Sequence, residues 1–283
     1  MNMRIGRLLP AALVAGVLAW ACGQDDTSVD EPNTARPSDD AGGASSDAST
    51  NDARTDGDSN DTNDGPLRCD SAGVLVCDSF DEPAIDSTRW EPELQSGAAA
   101  IDESRSYRGG RALHVTTERG GGRAMLRARQ RAALAGRKVW GRTHMFVPSS
   151  AEASLTHHSN VIAFGGKNAS GATSVHAVAI GAAAFFGLYF QDEPMIDESS
   201  FVLHPDVPIT KVPLDRWFCL EWELDGVASA FRLYLDGALI PSSVIEGRVP
   251  ATEADVLVGA EFDLEEAWLD EVVVATTRAG CLP

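Results

Sequence analysis

The sequence has no apolar run that reaches the roughly 20 residues needed to cross a bilayer, which argues against a multi-span membrane protein. It also lacks basic excess: 23 Lys and Arg stand against 42 Asp and Glu, a formal −19. That is the opposite of the footprint that holds nucleic acid. Between residues 23 and 66 there is no aromatic side chain, and twelve acidic residues outnumber Arg36 and Arg54 to give −10. Such a segment cannot bury enough apolar surface to offset the entropy of ordering it, so it is expected to be a disordered acidic linker. Residues 67–283 carry the remaining −11 after the +2 of residues 1–22, and are long enough for one well-buried core.

The N-terminus has the pattern of an export signal. Arg4 and Arg7 form a positive start, Leu8 to Leu18 an apolar centre, and Ala19-Trp20-Ala21 a small-residue cleavage site. Cys22 follows directly, and this arrangement resembles the lipobox of bacterial lipoproteins, with Leu18 one place early and Trp20 bulkier than usual. The resemblance implies a signal peptide at 1–22, lipidation of Cys22, and an anchored domain on a tether at 23–66. Gly23 after the cysteine, in place of Asp, implies the outer membrane or cell surface.

Export makes the other cysteines interpretable. Cys69, Cys77, Cys219 and Cys281 in an oxidising compartment imply two disulfides, with three connectivities open. The preferred one pairs Cys69 with Cys77 as a local staple and Cys219 with Cys281. A zinc site is the rival, but no pair has C-x-x-C spacing and no His stands close in sequence.

From Cys69 onward no stretch keeps a 3.6-residue period, and short alternating runs recur between turn signals. Strands are predicted at 111–117, 123–129, 139–147, 160–164, 174–180, 186–191, 217–224, 231–235, 255–261 and 268–275. Helical turns are expected at 132–135 and 152–155. Ten strands in one domain suit an all-β sandwich of two antiparallel sheets better than a small barrel.

Trp217-Phe-Cys-Leu-Glu221-Trp, then Phe231-Arg-Leu-Tyr-Leu-Asp236-Gly237, and a late Trp268-Leu-Asp270-Glu-Val-Val-Val resemble the hairpin and final strand of concanavalin A-like jelly rolls. Ser106-Tyr-Arg-Gly-Gly110-Arg-Ala-Leu-His114-Val resembles an early strand of the same families. Cys77-Asp-Ser-Phe80-Asp-Glu and the closing Cys281 are most similar to the polysaccharide-lyase-like branch. The resemblance implies a jelly roll over 67–283 that meets an extracellular polysaccharide as a monomer, by β-elimination on uronate glycans or as a lectin-like or adhesive module.

Three constellations carry chemistry. Glu261-Phe-Asp263-Leu-Glu265 resembles the Glu-x-Asp-x-Glu of jelly-roll glucanases, although only 18 residues follow it and a solvated turn explains it as well. The second is basic. Eleven of the 19 Lys and Arg of residues 67–283 lie between Arg105 and Arg142, a concentration that suits a polyuronate. Arg123 and Arg127 resemble the Arg-Thr-Glu-Leu-Arg strand of alginate lyases, with Met125 in place of its Glu, and Tyr189-Phe-Gln191 resembles their Tyr-x-Gln strand.

β-Elimination requires a group that neutralises the uronate carboxylate, a base that takes the α-proton and an acid for the leaving oxygen. The expected set is Arg142 with Gln191 as neutralisers, His144 or His176 as base and Tyr189 as acid. Arg123, Arg127, His158 and Asn160 are expected to bind substrate. Alternation places Arg142 beside His144 and Tyr189 beside Gln191, and one shared groove is expected for all four. A lectin-like module would instead expose Trp90, Trp140 or Tyr107. The third constellation, Asp78, Asp81 and Asp270 with Glu82, suits a structural calcium rather than a required cofactor. His157-His158 is a weaker transition-metal pair, because adjacent strand side chains point apart.

Overall fold

The computed structural model describes residues 66–167, 171–192, 200–202, 209–246 and 252–283. The expected signal peptide, Cys22 and all of the acidic linker except Pro66 lie outside the described residues. Strands are numbered in chain order. The first sheet runs β14 (Ala238–Leu239), β13 (Ala230–Leu235), β12 (Trp217–Asp225), β7 (Lys138–Phe146), β17 (Glu266–Ala275), β4 (Ala112–Thr117) and β3 (Gly97–Asp102). Two further strands join it, β1 (Val74–Asp78) beside β17 and β15 (Ile245–Glu246) beside β13. The second sheet runs β11 (Ser200–Val202), β10 (Phe185–Asp192), β9 (Thr173–Gly181), β8 (His158–Lys167), β16 (Glu253–Phe262), β5 (Gly122–Ala128) and β2 (Trp90–Gln95). The short β6 (Ala132–Ala133) pairs with β16.

Period-two alternation builds the core between the sheets. Met145, Leu220, Trp222, Phe231 and Leu269 of the first sheet pack against Leu126, Phe164, Val178, Phe186 and Val258 of the second. Aromatic pairs bridge the layers, Phe164 to Trp222 at 6.2 Å and Phe186 to Phe218 at 5.8 Å between ring centres. Gly141 is required opposite Trp222, whose indole occupies the space a Cβ would take.

All ten predicted strands are present within a few residues. The turn expected at 152–155 is the 3-10 helix Ser149–Ser154, whereas Ala132 and Ala133 are strand, because β16 supplies their backbone partners. Strands β1 to β3 and the short β11, β14 and β15 were not predicted. β2 lies at a sheet edge and carries Pro92 between Glu91 and Glu93, a composition that protects an edge from further pairing and hides it from an alternation test.

The outward face of the first sheet is covered by the chain's own ends. Disulfides join Cys69 to Cys77 and Cys219 to Cys281, and the second holds the C-terminal segment against β12. Arg142, fully buried on that face of β7, donates to the carbonyls of Gly280 at 2.8 Å and Leu67 at 3.0 Å. Tyr107 Oη donates to Leu282 O at 2.9 Å, and its ring stacks on His144 at 3.8 Å. Glu221 accepts from Gly280 N at 2.8 Å and from Arg278 at 3.0 Å. One guanidinium thus ties together both ends of the folded domain. Arg142→Met leaves those carbonyls without a buried donor and is expected to cost about 3 kcal/mol, read as a lower urea midpoint at unchanged slope. A variant as stable as the parent would remove Arg142 from this role.

Candidate functional site

Sheet membership divides the expected catalytic set. Arg142 and His144 belong to β7 in the first sheet, while Tyr189, Gln191 and His176 belong to the second. Arg142 and Tyr189 therefore lie on opposite sheets, and the single groove expected for them does not exist. His144 is 1% exposed beneath Tyr107, so the C-terminal cover excludes substrate from it as it does from Arg142. His176 alternates with Val178 and Ile180 and points between the sheets, 6.4 Å from Phe231. Gln191 lies in β10, and its side chain is outside the described residues.

The second sheet's outward face does gather residues. Arg123, Arg127, Asn160 and Tyr189 line one open groove of about 590 Å³ with Arg131, Asp255, Glu261 and Phe262. Met125, Ala163, Ala177 and Leu257 form its apolar floor, against which Tyr189 packs. These side chains share a face because Ala124 and Leu126, Val256 and Val258, and Phe186 and Leu188 take the alternate positions in the core. At one end His158 stacks on Tyr189, ring centres 4.9 Å apart, with Phe262 5.3 Å from His158. Gly259, with φ at +147°, lets β16 pass close to the backbone of β5 where a Cβ would strike Ala124 O.

Charge in the groove is paired side to side. Arg123 reaches Glu93 and Glu261, each at 2.5 Å. Arg127 pairs with the same Glu93, and Arg131 reaches Asp255 at 2.8 Å. Asn160, 3% exposed, donates through Nδ2 to Glu261 at 3.1 Å. Among the described residues, Asn160 Oδ1, Arg123 Nε and Arg127 Nε are buried without a hydrogen bond, Arg127 Nε lying 3.9 Å from an Asp255 oxygen. Burial holds His158 below its ordinary pKa, against the opposing pull of Asp263 and Glu261.

The other constellations separate. β16 ends at Phe262, whose φ of +72° breaks the alternation of Glu261, Asp263 and Glu265. Asp263 turns away to accept from the Thr156 hydroxyl at 2.7 Å and the His157 N–H at 2.9 Å. Among the described residues no three His, Cys, Asp or Glu gather as a metal-binding group, so Asp78, Asp81 and Asp270 do not meet. Asp78 accepts from Phe80 N at 2.8 Å and Trp90 Nε1 at 2.7 Å. Asp270 accepts from the N–H groups of Tyr107 and Arg108. Asp81 lies against Gly109. Of the aromatics suggested as sugar platforms, Trp90 is fully buried and Tyr107 is committed to His144. Trp140 lies on the first sheet, 5.6 Å from Tyr234, with Arg278 over both rings.

Sequence reasoning missed Glu93, Asp255 and Phe262. Glu93 was hidden in an unpredicted edge strand. Phe262 could have been found as the alternation break that ends a long strand.

No family model matches the chain, and no curated protein sequence matches it. Solved structures do. Cellulose induced protein, Cip1, aligns over its whole length with 73% of this chain, at 18% identity and a TM-score of 0.56. An alginate lyase from a Chlorella virus, vAL-1, aligns over its whole length with 72% of this chain, at 10% identity and a TM-score of 0.52. At these identities the likeness is one of fold. The protein is an all-β jelly roll of two antiparallel sheets, closed on one outward face and grooved on the other.

Burial, with Arg142 and Arg108 next, lowers the His144 pKa from 6.5 to about 3. The unfolded chain therefore takes up a proton below pH 6.5 that the folded chain refuses. Asp270, its neighbour across β17, is shifted the other way by burial, up to about 7, and opposes this slope in the native protein. The contribution of His144 appears as a difference from His144→Phe, which keeps a ring under Tyr107. Relative to that variant, the native protein is expected to gain stability as pH rises from about 3 to 6.5, by up to about 1.4 kcal/mol per unit, and no more above it. Parallel pH curves in urea titrations would contradict a buried neutral His144.

Proposed function

We propose that this domain binds an extracellular polysaccharide along the groove of its second sheet, and that residues 1–22, Cys22 and the acidic linker at 23–66 export and tether it at the cell surface. The observation that carries the reading is the groove's composition. It joins an aromatic cluster of Tyr189, His158 and Phe262 to a wall of planar hydrogen-bonding groups over an apolar floor. Pockets of this size, apolar below with a few fixed polar groups, hold ligands of a few rings. An aromatic face offers a flat apolar platform to one side of a sugar ring, while Arg, Asn and carboxylate groups reach its hydroxyls. Arg123, Arg127, Asn160, His158 and Tyr189 take the substrate-contacting roles. The two disulfides suit an oxidising compartment outside the cytoplasm.

A second reading, β-elimination on a uronate, is favoured by one observation. Burial lowers the His158 pKa, the direction that favours a base, and its ring stacks on Tyr189, which would serve as the acid. Asn160 and Arg123 stand close by as the groups that would meet a carboxylate.

Two measurements separate these readings. Tyr189→Ala should lower retention in polysaccharide-containing gels at least ten-fold, whereas Trp140→Ala on the other sheet should leave it unchanged. Equal losses from both, or from neither, would remove the groove as the binding face. Ultraviolet absorbance of unsaturated products from a panel of uronate polymers, lost in Tyr189→Phe, would establish elimination; no absorbance change with bound polymer leaves binding alone.

A further inference from the structure

The groove's three arginines are each met by a carboxylate, while Lys167, which also lines it, bonds the Thr173 hydroxyl at 2.7 Å, and this bears on what it can hold. Glu93 on β2 is placed between Arg123 and Arg127, its two oxygens given to different guanidinium groups. Glu261 on β16 takes the other end of Arg123 at 2.5 Å and also the Asn160 amide at 3.1 Å. The two glutamates are about one-fifth exposed, so their charges act at short range on the arginines rather than dissolving into solvent. A uronate carboxylate entering here meets an Arg123 whose two outer nitrogens are already occupied, an Arg127 with one outer nitrogen held by Glu93, and two like charges beside them.

The charge balance of the lining favours a different ligand: Arg123, Arg127, Arg131 and Lys167 stand against Glu253, Asp255, Glu261 and the adjoining Glu93, four of each sign. Asn160 is 3% exposed, and its Oδ1 has no hydrogen-bond partner. Its amide orientation is fixed, because only the NH₂ side can donate to Glu261. That buried acceptor carries no charge and offers nothing to an ionised carboxylate.

We propose that the groove selects a neutral, hydroxyl-rich glycan over a polyuronate, with Glu93 and Glu261 as the specificity-determining residues that occupy the arginines. This rests on the polysaccharide-binding reading above. It is tested with the full chain in affinity gels that contain neutral polymers (a β-glucan, a xylan, a mannan) or uronate polymers (alginate, polygalacturonate, a glucuronan). The native protein should be held by at least one neutral polymer, and ten-fold or more weakly by every uronate. Glu93→Gln frees Arg123 and Arg127 together, and Glu261→Gln frees Arg123 alone. Either should raise uronate retention at least ten-fold, the first more than the second, and 0.5 M salt should abolish the gain.

If Glu93→Gln does not fold, Glu261→Gln still reads the same effect. Native retention that is equal or stronger on a uronate overturns the proposal, as does a glutamine variant whose preference does not move. Failure to bind any polymer in either class contradicts the binding reading itself, and this proposal with it.

Discussion

The long strands of this sandwich each give one face to the shared core, and that demand fixes what the other face can do. Met145 and Thr143 turn inward from β7, so Arg142 and His144 turn outward on the first sheet. Leu188 turns inward from β10, so Tyr189 turns outward on the second. The two outward faces lie on opposite sides of the core and cannot cooperate in one reaction. The first is sealed by Tyr107, by the disulfide from Cys219 to Cys281 and by the carbonyls that Arg142 holds. The second carries the open groove lined by Arg123, Arg127, Asn160 and Tyr189.

The buried charges of the sealed face and the paired charges of the open one differ in physical role. Arg142 makes its hydrogen bonds to backbone carbonyls in a dry environment, where each lost partner leaves an uncompensated donor. The arginines of the groove are partly exposed and pair with side chains, so their contribution to stability is small and their effect is on the local field. Removing a carboxylate from that lattice alters which ligand charges are tolerated more than it alters the fold.

The fold was largely legible because alternation survives wherever one face of a strand is buried. Phe218, Leu220, Trp222 and Leu224 announce β12 without any structural knowledge, and the cysteine pairing followed from export and chain position. Edge strands were not legible, since β2 and β3 carry Pro92 and a run of alanines where half-burial leaves no periodic signal. The site was read in part. Arg123, Arg127, Asn160 and Tyr189 do share a groove, because each alternates against core residues of the same sheet. Arg142, His144 and His176 could not be placed from sequence. Alternation gives the face of a strand but neither the sheet it joins nor what later covers that face. His176 shows the remaining ambiguity: it lies on the core side among Val178 and Ile180, at a position where a histidine reads as polar and outward.

The central claim is that the outward face of the second sheet is the working face of this domain. Hydrogen exchange of the full chain with and without a retained polysaccharide tests it most directly. The account predicts new protection confined to β5, β8, β10 and β16 and the turn after Phe262, with β7, β12 and β17 unchanged. Protection centred on Trp140, Tyr234 and Arg278 of the first sheet, with the groove strands unaffected, would contradict it.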